Sequence, residues 1–260
     1  GTTSAPYSSG GSNTAVGYGA FDSFTTAAAN VAVGDAALGA LTSATTNVAV
    51  GSQAGADIAG SDAIENVIIG GYAGTGGSGN LKRTVAIGKG ALNSTAGNDN
   101  TGTIAIGYDA LTALTSGGGN LALGYQAGAG VTTGTYNHFL GHETGKVHTT
   151  GHSNIAIGYG AMDDTDAGSN SLDSDHNIFI GNHAGGGTWT DAKSEYNTVV
   201  GNGAFISALE AATYNVGMGY RAGESLTSAD ASVIIGGIAG ANITSGLRNV
   251  VIGYNAATTL

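Results

Sequence analysis

The sequence predicts an all-β fold, a parallel β-roll or β-solenoid of about fourteen coils, each 17 to 23 residues long. Three observations predict it. A glycine closing an apolar triplet recurs at Gly17, Gly34, Gly51, Gly70, Gly88, Gly107, Gly124, Gly141, Gly158, Gly181, Gly201, Gly219, Gly236 and Gly253. Four residues before it stands asparagine in eleven copies, and three residues after it stands alanine in thirteen. The composition agrees: 48 glycines, one proline and 10% charged residues leave too few charges for the solvated face of ordinary helices. A period held over the whole chain is the mark of a repeat architecture.

Each element of the unit has its own physical reading. In Asn47-Val48-Ala49-Val50-Gly51-Ser52-Gln53-Ala54, three apolar residues make a short strand and are too few for a helix. The glycine lets the backbone turn through positive φ or approach the next coil closely. Coils stacked about 4.8 Å apart bring equivalent residues into register. Asn13, Asn30, Asn47, Asn66, Asn120, Asn137, Asn154, Asn177, Asn197, Asn215 and Asn249 are therefore predicted to form a side-chain amide ladder. Thr84, Thr103 and Ser232 replace asparagine in the other three copies. The alanine column marks a place where neighbouring backbone lies close, and Thr144 is its one exception. The residue after it is bulky at Phe21, Leu38, Leu92, Leu111, Met162 and Phe205, but glycine at Gly55, Gly74, Gly128, Gly145, Gly185, Gly223 and Gly240. The two kinds come in pairs, which suggests duplication of a four-coil unit; the repeat by itself does not explain the pairing.

Alternation within the triplet bears on assembly. The residue just before each glycine is apolar in every copy, from Val16 to Ile252, which assigns that face to the core. Its neighbour points the other way and is also apolar nearly everywhere, as at Ala49 and Phe139. A thin coil shelters one face only, so the second is expected to pack against other copies of the chain. Cyclic symmetry is the default arrangement, and a homotrimer is the expectation.

Several function classes are excluded. A net charge of −11, from 18 acidic and 7 basic residues, argues against a nucleic-acid partner, which needs clustered cations. There is no cysteine for a disulfide or thiolate site. No apolar run reaches the length of a membrane span and no leader opens the chain, so membrane insertion is not expected. Without a phosphate loop or a serine elbow, neither a cofactor nor catalysis is expected. Residues 1–260 read as one repeat domain, a piece of a longer chain.

Candidate binding residues cluster where the repeat is interrupted. The two longest spacings, 23 and 20 residues, are consecutive between Gly158 and Gly201. In repeat proteins such insertions often form the binding face. They hold the only tryptophan, Trp189, with Tyr196, Asp191, Asn170 and Asp164, the expected receptor-binding set. An exposed indole beside carboxylates and an amide suits sugar stacking; pinning its own loop to the column is the competing role. The carboxylates Asp163, Asp164, Asp166, Asp173 and Asp175 suit a solvated loop or a weak Ca²⁺ site better than a glycosidase pair. A tyrosine edge follows the glycine at Tyr18, Tyr108, Tyr125, Tyr159, Tyr220 and Tyr254. All six histidines lie between His138 and His183. Of these His138 and His142 are the ones to weigh as ligands, though no metal site is expected.

The run Asn-x-Ala-Val/Ile-Gly-x-x-Ala, as in Asn30 to Ala37 and Asn154 to Ala161, resembles the head repeats of trimeric autotransporter adhesins and the similar repeats of bacteriophage tail fibres. The unit of 17 or more residues is closer to the tail-fibre form than to the shorter coil of the adhesin heads. The resemblance implies a left-handed parallel β-roll, a trimer, and a non-enzymatic surface role. A host-surface glycan or protein receptor is the implied partner, outside the cell or on a virion. Two other roles stay open: a structural subunit of an extracellular filament or surface layer, and ice binding. The last needs a Thr-x-Thr array in coil after coil, whereas threonine here is scattered.

Overall fold

The computed structural model describes residues 10–76, 81–94, 100–165, 173–189 and 192–258. They form an all-β parallel solenoid, with no helix among the described residues. The chain divides into two compact units, Gly1–Gln126 and Ala127–Leu260. The spacing from Gly124 to Gly141, across that division, is the ordinary 17 residues, so the repeat does not mark it.

The first unit contains β1 (Thr14–Val16), β2 (Val31–Val33), β3 (Val48–Val50), β4 (Val67–Ile69), β5 (Leu81–Lys82), β6 (Val85–Ile87), β7 (Asn100–Thr101), β8 (Ile104–Ile106) and β9 (Leu121–Leu123). Seven of these make one parallel sheet in the order β1-β2-β3-β4-β6-β8-β9, and β5 pairs with β7 on a second side. The second unit contains β10 (His138–Leu140), β11 (Ile155–Ile157), β12 (Ile178–Ile180), β13 (Thr198–Val200), β14 (Val216–Met218), β15 (Ser228–Asp230), β16 (Val233–Ile235), β17 (Ser245–Leu247) and β18 (Val250–Ile252). Its main sheet runs β10-β11-β12-β13-β14-β16-β18, with β15 paired to β17. Register is strict: like positions pair, Ala32 with Ala49 and Phe139 with Ala156.

The asparagine column is the internal ladder that fixes this register. Asn47 donates its backbone N–H and its Nδ2 to Asn30 Oδ1 at 2.9 and 3.1 Å, while Asn30 Nδ2 donates forward to the carbonyl of Ala44 at 3.0 Å. The same bonds join Asn137, Asn154, Asn177, Asn197 and Asn215 in the second unit. Asn13 and Asn249 are half-buried; the other nine are buried. Thr84 keeps part of the pattern, receiving at its N–H the acceptor Asn66 Oδ1 at 3.0 Å and donating its hydroxyl to the carbonyl of Asn100 at 2.9 Å. Ser232 does likewise, its N–H bonding Asn215 Oδ1 at 3.0 Å and its Oγ accepting from Asn249 N–H at 3.1 Å.

The ladder also decides which face is inside. Side chains alternate along a strand, so with Asn directed inward the middle residue of the triplet is inward too. Ala32, Ala49, Ile68, Phe139 and Phe179 are fully buried, whereas Val16, Val50, Leu123 and Met218, each just before its glycine, are 58, 37, 46 and 48% exposed. This reverses the expectation that the pre-glycine face is core. The outward face of the sheet is the one formed by the first and third residues of each triplet.

The pairing of bulky residues and glycines has a packing cause. In several coils a middle alanine goes with a large side chain after the alanine column: Ala32 with Leu38, Ala86 with Leu92, Ala105 with Leu111, Ala156 with Met162. At Ala49 and Ala122 that place is glycine, and Gly55 makes room for the adjacent coils, since a Cβ there would meet Leu38 Cδ2 at 3.0 Å and Ile68 Cδ1 at 3.2 Å. Where the middle residue is large, that place is glycine: Ile68 with Gly74, Phe139 with Gly145, Phe179 with Gly185, Ile234 with Gly240. A Cβ on Gly145 would lie 2.3 Å from Phe139 Cε1, and one on Gly185 2.5 Å from the Phe179 ring. The two columns share one volume, as close packing demands. Phe205 serves its neighbour, since a Cβ on Gly217 in the next coil would meet its ring at 2.6 Å. Each unit has a further core column, Leu41, Ile58 and Leu114 in the first and Val131, His148, Thr165, Trp189, Leu209, Leu226 and Ile243 in the second, all buried.

Three places in each coil are left-handed, and most are not glycine. In the coil of Asn197 they are Tyr196 (φ 58), Gly203 (φ 63) and Phe205 (φ 48). Each such non-glycine residue costs on the order of 1 to 3 kcal/mol, offset here by the inter-coil bonds. The glycine closing the triplet is different. At Gly158, φ is 129 and a Cβ would stand 2.6 Å from the carbonyl oxygen of Gly181 in the next coil, so no side chain fits.

Candidate functional site

Among the described residues, the expected receptor set does not come together as one exposed patch. Trp189 is fully buried, with its ring edge-on to Phe179 at 5.8 Å. It belongs to the core column between Thr165 and Leu209, so it is not an exposed stacking surface. The three extra residues between Gly181 and Gly201 bring it one place later than its counterparts, yet into the same column. Asp164 anchors that loop: its carbonyl accepts the Trp189 N–H at 3.2 Å and its carboxylate accepts the Thr188 hydroxyl. Asn170, Asp191 and Asp166 lie outside the described residues. Tyr196 is exposed, and around it the structure gathers residues the sequence reading did not select.

The left-handed residue just before each ladder position forms a column on the surface of the second unit: Tyr136, Ser153, His176, Tyr196, Tyr214, Ala231 and Arg248, with φ between 53 and 60. Its register is held by backbone bonds of one kind. Ser153 N–H donates to Thr135 O at 3.0 Å, His176 to His152 O at 3.0 Å, Tyr196 to Asp175 O at 3.2 Å and Tyr214 to Glu195 O at 3.2 Å. Tyr136, Tyr196 and Tyr214 are 66, 45 and 62% exposed. His176, Tyr196 and Tyr214 stack at 5.0 Å each, with interplanar angles of 16° and 3°. Tyr196 is covered on both faces by its neighbours and offers only its edge and hydroxyl. One residue back along the chain runs a polar column in which Thr135 Oγ1 bonds His152 Nδ1 at 2.8 Å and the His152 N–H donates to Asp175. The sequence carried the signal for this column, since every member immediately precedes the ladder position.

A second ring cluster lies on the tyrosine edge, with Tyr159 tilted against His142 and met edge-on by His183. Tyr159 sits between His142 at 5.3 Å and His183 at 5.0 Å, and in the first unit Tyr108 stacks on Tyr125 at 5.4 Å. His183 Nδ1 is 3.7 Å from Asp163 Oδ2. Partial burial raises the Asp163 carboxyl above the usual carboxylate range, against the pull of His183. Asp173 is lowered, chiefly by the hydrogen bond from Thr150 and further by Lys193 at 3.5 Å. These carboxylates are thus spread over separate inter-coil contacts. Among the described residues no group of three or more His, Asp or Glu is arranged to hold a metal ion. His138 points outward from β10, and His142 is engaged by Tyr159.

Each unit also presents a continuous outward sheet face. In the first unit its positions are all Val, Ile or Leu except Thr14, as in Val31 and Val33 or Ile104 and Ile106. In the second only His138 and Thr198 are polar, among residues such as Ile155, Ile157 and Met218. Neither face carries a charged residue.

Comparison with protein-family models, with curated proteins and with solved structures finds no match to this chain. The chemistry therefore rests on the residues themselves: two apolar sheet faces, exposed ring stacks, and a buried amide ladder that holds both in register.

Proposed function

We propose that this chain is a non-enzymatic shaft segment of an extracellular or virion-surface adhesin or tail fibre. It self-associates through its outward sheet face, as a homotrimer, and carries a receptor-binding surface for a host glycan on its flank. The single observation behind this reading is that outward face, uncharged and almost wholly aliphatic in both units. Left in water it would be an aggregation liability; covered by like faces of two other copies it becomes the core of a shaft. The aromatic column supports the second part, because exposed rings with polar tips suit glycan surfaces.

The test is light scattering at micromolar concentration, which should report three times 25.2 kDa. Val50→Glu places a charge on the outward face and should dissociate the assembly with the coils intact, because an unpaired charge cannot remain in an apolar interface. Ala49→Glu, one residue away but inside the coil, should unfold its neighbourhood instead. A monodisperse monomer with an intact melting transition overturns the proposal.

A further inference from the structure

We infer that the gap over Ser153, between the rings of Tyr136 and His176, is a binding slot for one neutral pyranose ring of a glycan. The inference deepens the adhesin reading above by naming where a glycan would sit and of what kind. The column before the ladder is an aromatic stack with one rung missing. From His176 onward its rings lie 5.0 Å apart, one coil rise each. Ser153 stands in register between Tyr136 and His176, held by the same backbone bond as its neighbours, but it brings a hydroxymethyl group where they bring rings. Two coil rises of about 4.8 Å separate the coils bearing Tyr136 and His176, leaving a space roughly 10 Å wide centre to centre. A ring-shaped guest in that space contacts an aromatic on each side at about the separation the column already uses.

The two walls are unequal in support. His176 is backed by Tyr196 and Tyr214 and is fixed as the end of a stack; its other face is turned to the Ser153 rung. Tyr136 is 66% exposed and free to adjust. The floor offers the Ser153 hydroxyl, and the polar column beside it offers Thr135, His152 and Asp175. Thr135, His152 and Asp175 already bond one another, so they give the slot a polar margin, and the hydroxyls of a sugar suit that margin and the Ser153 hydroxyl better than a hydrocarbon guest would. Asp173 and Asp175 on the adjoining segment, in a chain of net charge −11, disfavour sialic acids, sulfated sugars and nucleotides.

The test uses the purified chain with the methyl glycosides of glucose, galactose, mannose and N-acetylglucosamine at millimolar concentration, read by saturation-transfer NMR. At least one should receive saturation on its ring hydrogens. Ser153→Tyr completes the stack, and tyrosine already occupies this left-handed position at Tyr136, Tyr196 and Tyr214, so the variant should keep its melting curve and lose the transfer at least tenfold. Tyr136→Ala removes one wall, leaves the other three rings in place, and should give the same loss should Ser153→Tyr fold poorly. No transfer to any of the four sugars, or equal transfer in wild type and both variants, overturns the slot. Light scattering on the same samples separates the two proposals: a trimer without transfer refutes the slot alone, and a monomer with slot-dependent transfer refutes the shaft alone.

Discussion

Asn154→Leu removes one rung of the amide ladder with little change in volume, and its cost follows from the bonds it deletes. Asn154 Oδ1 accepts the N–H and the Nδ2 of Asn177 at 3.0 and 3.2 Å. Its Nδ2 donates to Asn137 Oδ1 at 3.1 Å and to the carbonyl of Ser174 at 2.8 Å. After substitution Asn137 Oδ1 retains the backbone N–H of residue 154, and Asn177 Nδ2 retains the carbonyl of Ser194 at 2.7 Å. Three buried groups lose their partner, the N–H of Asn177, the carbonyl of Ser174 and the Nε2 of His148, which Asn154 Nδ2 meets at 3.2 Å. At about 1 to 3 kcal/mol for each orphaned group, the loss should be roughly 3 to 9 kcal/mol. Asn154→Thr should cost about half as much, because Thr84 shows a threonine hydroxyl reaching the equivalent carbonyl. Coils interact with nearest neighbours, so the damage should be local. Hydrogen exchange should accelerate in Ile155–Ile157 and Ile178–Ile180 while the first unit is unaffected. A loss under about 1 kcal/mol, or uniform acceleration in both units, would refute the ladder as the source of register.

Gly145→Ala should destabilise the second unit by roughly 1 to 3 kcal/mol through overpacking against Phe139. The pair Phe139→Ala with Gly145→Met, which copies Ala156 and Met162, should restore most of the loss; strictly additive effects in thermal melts would count against the shared volume. His148 is fully buried, accepting at Nε2 from Asn154 Nδ2 and donating from Nδ1 to Thr165, both at 3.2 Å, and burial lowers its pKa to about 4. The unfolded chain therefore binds a proton that the folded one refuses between about pH 6.5 and 4, so stability present above pH 6.5 should fall by about 3 kcal/mol across that window. His148→Leu should flatten this part of the melting-temperature profile, and an unchanged slope would remove His148 as its cause.

The fold was legible because the repeat repeats its chemistry. Fourteen glycines at nearly constant spacing announce strands of three residues, and the asparagines before them announce a ladder; both are found as read. Face parity was also available and was missed, since an inward Asn dictates an inward middle residue such as Ala49 and an outward Val50. The left-handed places were not legible. Tyr72, Gln53, Leu38 and Phe205 hold positive φ without being glycine, because the stacked coils on either side impose a conformation that local preference would refuse.

The proposed binding surface was harder to read than the fold for a related reason. Insertions and a lone tryptophan draw the eye because they break the pattern, yet Trp189 breaks it only in spacing and returns to a core column that Val131, Leu209 and Leu226 define. The aromatic column keeps the pattern in place and breaks it in residue type, at a position where other coils carry Ser12, Ala29, Thr46 or Glu65. In a solenoid the architectural columns are constrained by every neighbour, so unusual residues there are absorbed into packing. The outward column before the ladder is constrained in backbone alone, through its left-handed φ, and its side chains are free to differ from coil to coil. Specific recognition requires that freedom together with a fixed geometry, and in this chain Tyr136, Ser153, His176, Tyr196 and Tyr214 have both.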